Sequence, residues 1–335
     1  MHAIQAKTTG GPEVLEWVEL DDPTPGDGQV CVDLAAAGLN FIDTYHRSGL
    51  YPLPLPFIPG QEGAGTISAL GGGSDVDRLI LGDRVAWTGV GGSYATKVLV
   101  PVSKLVPVPQ NVDLDLAAAA MLQGMTAHFL ATSTFPLEPG HRCLIHAGAG
   151  GVGQLLIQMA KLRGAEVFTT VGSADKAEVV RAAGADHVIL YRQVDFGDEI
   201  ERIAGKRPLD VVYDGVGADT FLRGLDVLKP RGMMITFGNA SGPVEPVLPL
   251  KLMQGGSLFL TRPTLGDYTA TRADLEARSS ELFRWISEGR LQVQVGARMP
   301  LSEASQAHEM LEGRGTTGKV LLIPALRPSQ YRSLL

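Results

Sequence analysis

Residues 143–163 read CLIHAGAGGVGQLLIQMAKLR: an apolar strand run, a glycine-rich turn and an apolar helix run in direct succession. The turn carries Gly148-x-Gly150-x-x-Gly153. Gly150 is expected to permit the tight turn and Gly153 close packing of helix on strand, while the missing side chain at Gly148 lets backbone approach a ligand. A helix that opens here presents the amides of Gly151, Val152 and Gly153, with the positive end of its dipole, to an anion. The pattern therefore points to the pyrophosphate of a dinucleotide.

The surroundings strengthen that reading. Strands are expected at 143–147, 166–171, 187–190, 210–213 and 233–237, and helices at 152–163, 176–183, 196–204 and 220–228. Such alternation implies a parallel sheet covered on both faces. Gly164, Gly184 and Gly205 follow three of the helices, where a left-handed residue ends a helix cheaply. The first hundred residues read differently. Short strand-like runs at 3–7, 14–20, 30–36, 65–70, 84–87 and 95–101 are punctuated by glycine and proline turns. Helices are expected at 40–48 and 116–132, with an extended loop at Pro52, Pro54, Pro56 and Pro59. The last part mixes a strand at 257–260, helices at 272–288 and 302–311, a strand at 320–323 and a mobile tail over the final ten residues.

A chain of 335 residues, 44% hydrophobic and 19% charged, can bury two cores, which excludes a disordered protein. Its two cysteines, Cys31 and Cys143, exclude a disulfide framework, a four-cysteine zinc lobe and an iron–sulfur cluster. They suit a reducing cytoplasm, and no export signal or membrane span is visible. A net charge of −7 speaks against a dedicated nucleic-acid binder.

An NAD site wants a carboxylate at the end of the second strand, for the ribose. Here that strand ends Val171-Gly172-Ser173, with Lys176 three residues on and Tyr191-Arg192 closing the next strand. A small turn flanked by cations suits a 2′-phosphate, hence NADPH, although Asp175 sits beside Lys176.

With these residues in view, the chain resembles the zinc-free quinone oxidoreductase (zeta-crystallin-like) branch of the medium-chain dehydrogenase/reductase family. The resemblance rests on the nucleotide segment from Gly140 to Lys161, on Gly38-Leu39-Asn40-Phe41-Ile42-Asp43-Thr44-Tyr45, on Arg47-Ser48-Gly49-Leu50-Tyr51, on Phe237-Gly238-Asn239 and on Thr261-Arg262-Pro263. It implies an α/β protein of two domains: a GroES-like β-rich catalytic domain (1–120 and 264–335) and a doubly wound Rossmann domain (121–263), with NADPH in the cleft. It also implies a homodimer through sheet edges near 256–260. It adds Thr126 and Asn239 near the nicotinamide, and Phe237, Arg262 and Arg314 among the cofactor contacts.

Relatives that use zinc have Gly-His-Glu where this chain has Gly60-Gln61-Glu62, and Cys where it has Asn40. Gln and Asn are poor substitutes for imidazole and thiolate, so no metal is expected. A quinone needs less help, because resonance already stabilises the charge that hydride addition creates. Donors and a flat wall suffice, and Asn40, Tyr45, Tyr51 and Gln61 are the candidates. Asn40 could equally cap the helix it precedes, and the tyrosines could be satisfied buried aromatics. The chain departs from the pattern at Gln123, where some relatives carry Lys, and at Gly215, where some carry Ser. Gly313-x-x-x-x-Gly318-Lys319 imitates a P-loop but joins a helix to a strand, and reads as an ordinary turn. Two rival functions remain open: a zinc-free NADPH-dependent reductase of enones or enoyl thioesters, whose substrate is another small conjugated carbonyl compound, and a dinucleotide-dependent RNA-binding protein with little turnover.

Overall fold

A computed structural model describes the chain over residues 1–324; the tail expected over the final ten residues lies outside them. The chain divides into two compact units, one of Met1–Met125 with the chain from Thr269, the other of Thr126–Tyr268.

The first unit begins with β1 (His2–Ala6), β2 (Leu15–Glu19) and the long β3 (Gln29–Gly38). Helix α1 (Phe41–Ser48) follows, opened at Asn40 and closed by Gly49 in left-handed backbone (φ 83). Strands β4 (Glu62–Leu70), β5 (Arg84–Thr88), β6 (Lys97–Pro101) and the short β7 (Val106–Pro107) lead to α2 (Leu114–Phe129). The helix expected to run to 132 stops at 129 and continues as a π turn over Leu130–Thr134. Thr132 Oγ1 donates to the His128 carbonyl at 2.7 Å, taking the acceptor that an α-helical ladder would use.

The second unit alternates β8 (Arg142–Ile145), α3 (Gly151–Leu162), β9 (Glu166–Val171), α4 (Ala174–Ala182), β10 (His187–Leu190), α5 (Phe196–Ala204), β11 (Leu209–Asp214), α6 (Phe221–Asp226) and β12 (Leu228–Thr236). It ends with α7 (Pro249–Gln254), β13 (Phe259–Thr261) and α8 (Leu265–Tyr268). Among the described residues these strands form a six-stranded sheet in the order β10-β9-β8-β11-β12-β13, parallel throughout. That is the doubly wound order 3-2-1-4-5-6, whose winding reverses beside its first strand, so the loop after β8 stands at the switch point. The inner face packs Leu144, Phe168, Ile189, Val212 and Met234 with Phe221 and Leu225.

The chain then returns to the first unit with α9 (Arg272–Ser287), β14 (Val295–Pro300), α10 (Ala304–Glu312) and β15 (Lys319–Ile323). Its sheet runs β14-β15-β3-β4-β5-β7, with β6 also on β3. Strand β14, in which Val295, Ala297 and Met299 alternate with Gly296, Arg298 and Pro300, was not expected from the sequence; it pairs in parallel with β15. Trp87, Tyr94, Val30, Val98 and Leu322 lie in this core.

Candidate functional site

The glycine turn stands where β8 ends. The residue in left-handed backbone is Ala147 (φ 52), not Gly150, which is extended (φ −73) and serves as the N-cap of α3. Gly150 is therefore not needed for the turn's φ, contrary to the expectation from sequence. Gly153 is needed for space: a Cβ there would lie 2.5 Å from the Ala147 carbonyl oxygen and 2.7 Å from Gly148 Cα. Helix geometry leaves the amides of Gly151, Val152 and Gly153 without carbonyl partners in α3. The Gln154 side chain donates to the Ala149 carbonyl at 2.8 Å and stiffens the turn from behind.

The ends of β9 and β10 meet at a corner. A Cβ on Gly172 would lie 3.0 Å from Tyr191 Oη and 3.3 Å from Arg192 Nε. Ser173 caps α4, its hydroxyl accepting the Lys176 amide at 3.5 Å. Gly172, Ser173, Lys176, Tyr191 and Arg192 are thus gathered, and the strand end itself bears no carboxylate. Beyond β12, Arg262 donates to Thr236 Oγ1 and to the Gly238 carbonyl, both at 3.1 Å. Asn239, with its amide oriented to suit its neighbours, donates to that same carbonyl and accepts from Arg262 at 3.2 Å. The Phe237 ring lies 3.0 Å from where a side chain on Gly215 would begin, so the glycine at 215 makes room for it. Thr126 is buried on α2. Arg314 belongs to the other unit, in left-handed backbone (φ 57) between α10 and β15.

In the first unit α1 and the loop after it bring three aromatics together. Tyr45 and Tyr51 meet edge to face with centroids 5.3 Å apart, and Phe41 lies 6.4 Å from Tyr45. Both tyrosines are half-buried. Gln61 is half-buried too, its Nε2 3.8 Å from where a side chain on Gly91 would begin.

Asn40 is 3% exposed and fully committed. Its Nδ2 donates to Glu62 Oε1 at 2.7 Å and to the Gly38 carbonyl at 3.3 Å. Its Oδ1 accepts from Lys319 Nζ at 2.8 Å and from Gln123 Nε2 at 3.2 Å. The expectation that Asn40 offers a donor to substrate is therefore corrected: both amide hydrogens are already spent. Glu62 is ion-paired to Lys319 and also accepts the Leu122 amide at 2.6 Å. Burial lowers the Lys319 pKa, and the Glu62 carboxylate opposes that shift.

A second buried string starts three residues into α1. Asp43 Oδ2 accepts the Asn40 amide at 2.9 Å and the Tyr94 hydroxyl at 3.0 Å. Burial raises the Asp43 pKa to about 7 against these two bonds. Tyr94 Oη lies 3.3 Å from His308 Nε2, and Arg47 donates to His308 Nδ1 at 3.1 Å and to both Glu312 oxygens. His308, pushed down to about 3 chiefly by burial, is neutral, so the arginine fixes its proton on Nε2. Reading the sequence noted Gln123 only as a departure from the pattern and Lys319 only as part of a turn, and missed this string. The detectable signal was a lysine opening the apolar strand KVLLI.

Two family models match in chain order: the alcohol dehydrogenase GroES-like domain over residues 26–110 and the zinc-binding dehydrogenase over 151–286. The second name raises the question of zinc, and the residues present do not fit one. Asn40 and Gln61 are amides, and Glu62 is neutralised by an ammonium that a cation would have to face. Among the described residues no group of three or more His, Cys, Asp or Glu could hold a metal ion. A quinone oxidoreductase of Pseudomonas aeruginosa is 44% identical over 96% of this chain and 99% of its own. A 2-haloacrylate reductase of a Burkholderia species is 40% identical, over 94% of this chain and 96% of its own. The crystal structure of Escherichia coli quinone oxidoreductase complexed with NADPH matches with a TM-score of 0.94 at 43% identity, covering 97% of this chain and all of that one. Likeness in sequence and in fold over nearly the whole length of both chains leads to one conclusion: the chain belongs to the quinone oxidoreductase branch of the medium-chain dehydrogenase/reductase family.

Proposed function

We propose that the protein transfers hydride from NADPH to a quinone without a metal. The observation that carries this is the corner of Gly172, Ser173, Lys176, Tyr191 and Arg192, which offers a hydroxyl, a helix N-terminus and two cations where a carboxylate would select NAD. The amides of Gly151, Val152 and Gly153 hold the pyrophosphate, and the loop of Phe237 and Asn239, braced by Arg262, shapes the nicotinamide end. Thr126 and Arg314 complete the set inferred for the cofactor. When bound, the nicotinamide supplies the hydride.

The remaining chemistry falls to the first unit. Tyr45 and Tyr51 form a flat wall for an aromatic ring. Their hydroxyls and the Gln61 amide are donors for a carbonyl oxygen that gains negative charge. One hydride and one proton turn a quinone into a quinol, and the proton comes from water or a tyrosine. The domains are taken as 1–120 with 264–335 and as 121–263.

The second copy of this chain is proposed to dock at β13, an edge strand whose Phe259 is 56% exposed, beside exposed Leu248, Leu250 and Met253. No helix among the described residues is long and apolar enough to cross a membrane. Work in the cytoplasm suits the free buried thiols of Cys31 and Cys143. Reduction of an activated carbon–carbon double bond is the second reading, favoured by the Burkholderia relative.

Steady-state oxidation of NADPH and of NADH with a para-quinone and with an enone, after chelator treatment, tests the reading. Fast chelator-resistant NADPH oxidation with the quinone is expected. Faster turnover of the enone, or NADH used as well as NADPH, overturns it.

A further inference from the structure

Helix α1 has two faces. Asp43 and Arg47, four residues apart, share one of them, and Phe41 and Tyr45 lie about 200° around the helix, on the other. The first face is anchored: Asp43 is fully buried and Arg47 is 3% exposed. The second is half-buried. Arg47 divides its guanidinium between two other segments. Its Nε donates to the Gly10 carbonyl at 3.1 Å, while the Arg47 carbonyl accepts the Gly10 amide at 3.0 Å. Its outer nitrogens reach α10, donating to His308 Nδ1 at 3.1 Å and to the Glu312 oxygens at 2.9 and 2.7 Å. Ser305 on α10 donates to the Pro12 carbonyl at 2.8 Å, so the loop and α10 are tied to each other as well. His308 Nε2 stands 3.3 Å from Tyr94 Oη, and that hydroxyl donates to Asp43 Oδ2 at 3.0 Å, so one string holds both residues of this face. The Tyr51 amide donates to the Tyr45 carbonyl at 3.1 Å, across the reversal that Gly49 makes in left-handed backbone (φ 83). Both tyrosines therefore hang on the last turn of α1, and that turn is where Arg47 is held.

We propose that Arg47 is the positioning residue of the tyrosine pair: held between the loop at Gly10 and α10, it sets the rotation of α1 about its axis, and so the angle at which Tyr45 and Tyr51 face an aromatic substrate. Arg47 acts through the helix and touches no substrate. The class of substrate rests on the reductase reading; the hold on α1 does not. A planar fork is what the place demands, because three bonding directions have to be met by one side chain.

The test is Arg47→Met in the full chain, with KM and kcat for 1,4-naphthoquinone and with fluorine NMR of protein labelled with 3-fluorotyrosine. KM should rise about fivefold, the scale of one misplaced aromatic contact, while NADPH affinity holds. A merely structural arginine would instead lower the folded fraction, and so kcat, at unchanged KM. The resonances of Tyr45 and Tyr51, assigned through Tyr45→Phe and Tyr51→Phe, should move, and those of Tyr191 and Tyr213 in the second unit should not. Because Arg47→Met opens a buried site, Glu312→Gln is made alongside. It keeps the arginine and its bonds to Gly10, loosens the tie to α10, and should move KM and the two resonances in the same direction by less. Lowered kcat at unchanged KM overturns the inference, and so do resonances of Tyr45 and Tyr51 that stay in place in both variants, even where quinone turnover sustains the reductase reading. A wild-type protein that turns over no quinone removes the reductase reading, and the resonances then decide the role of Arg47 by themselves.

Discussion

The nucleotide turn of the second unit and the polar cluster of the first are built by opposite means. The turn takes its shape from residues 147–153, and its chemistry is backbone amides and absent side chains. The cluster draws Asn40, Glu62, Gln123 and Lys319 from four elements, with 279 positions between Asn40 and Lys319. Its chemistry is all side chain. The first needs no charge because a helix end supplies partial charge for free. The second holds two full charges away from water, where each is tolerated only because the other is present.

That difference should show as different ways of failing. The largest effect belongs to the cluster: Lys319→Met leaves Glu62 buried and unpaired, which should cost about 3–5 kcal/mol in urea unfolding. Adding Glu62→Gln should return most of it; a mild Lys319→Met would show that the pair is not the element on which the cluster depends. The turn should fail in binding instead. In Gly153→Val the side chain meets the Ala147 carbonyl and Gly148 backbone. NADPH affinity should fall by about a hundredfold, the cost of shifting a packed turn, while urea unfolding changes less than for Lys319→Met. Retained affinity in a fluorescence titration would show that the turn does not hold the nucleotide.

Smaller again, Lys176→Glu should weaken NADPH by roughly tenfold, as befits one half-buried charge-assisted contact, and leave NADH almost untouched. Equal losses for both nucleotides would remove the 2′-phosphate from this corner. The last effect is a slope. Asp43 titrates at about 7 in the folded chain, above its ordinary value of 3.8. The folded state therefore binds more protons than the unfolded state between those two values. Its contribution to stability is full below about 4 and is lost as pH rises toward 7. Asp43→Asn should flatten the stability profile across that window, and an unchanged slope would assign the titration elsewhere.

Legibility followed the same divide. The strand–helix alternation, the Gly148–Gly153 turn and the gathering of Gly172 with Tyr191 and Arg192 follow from residues close in sequence or one strand apart. Left-handed backbone at Gly164, Gly184 and Gly205 was readable for the same reason. Strand β14 was overlooked, although Val295, Ala297 and Met299 do alternate along it. The turn's left-handed residue was not readable, being Ala147 where a glycine was expected.

Asn40 is the instructive case. Its type and place before a helix suggested a cap or a donor, and both depend on what its amide meets. Whether two hydrogens are free is decided by Glu62 on β4, Lys319 on β15 and Gln123 on α2, and no local pattern reports that.

By itself the sequence determined what short-range geometry and hydrophobic period control: the α/β class, the nucleotide turn and the candidate cationic corner for a 2′-phosphate. Tertiary structure alone decided that Lys319 is a buried cation and not a turn residue, that His308 is neutral, and that Gln123 donates to Asn40. The reason is physical. Backbone geometry is set by neighbours in the chain, whereas the state of a buried charge is set by whatever the fold places beside it.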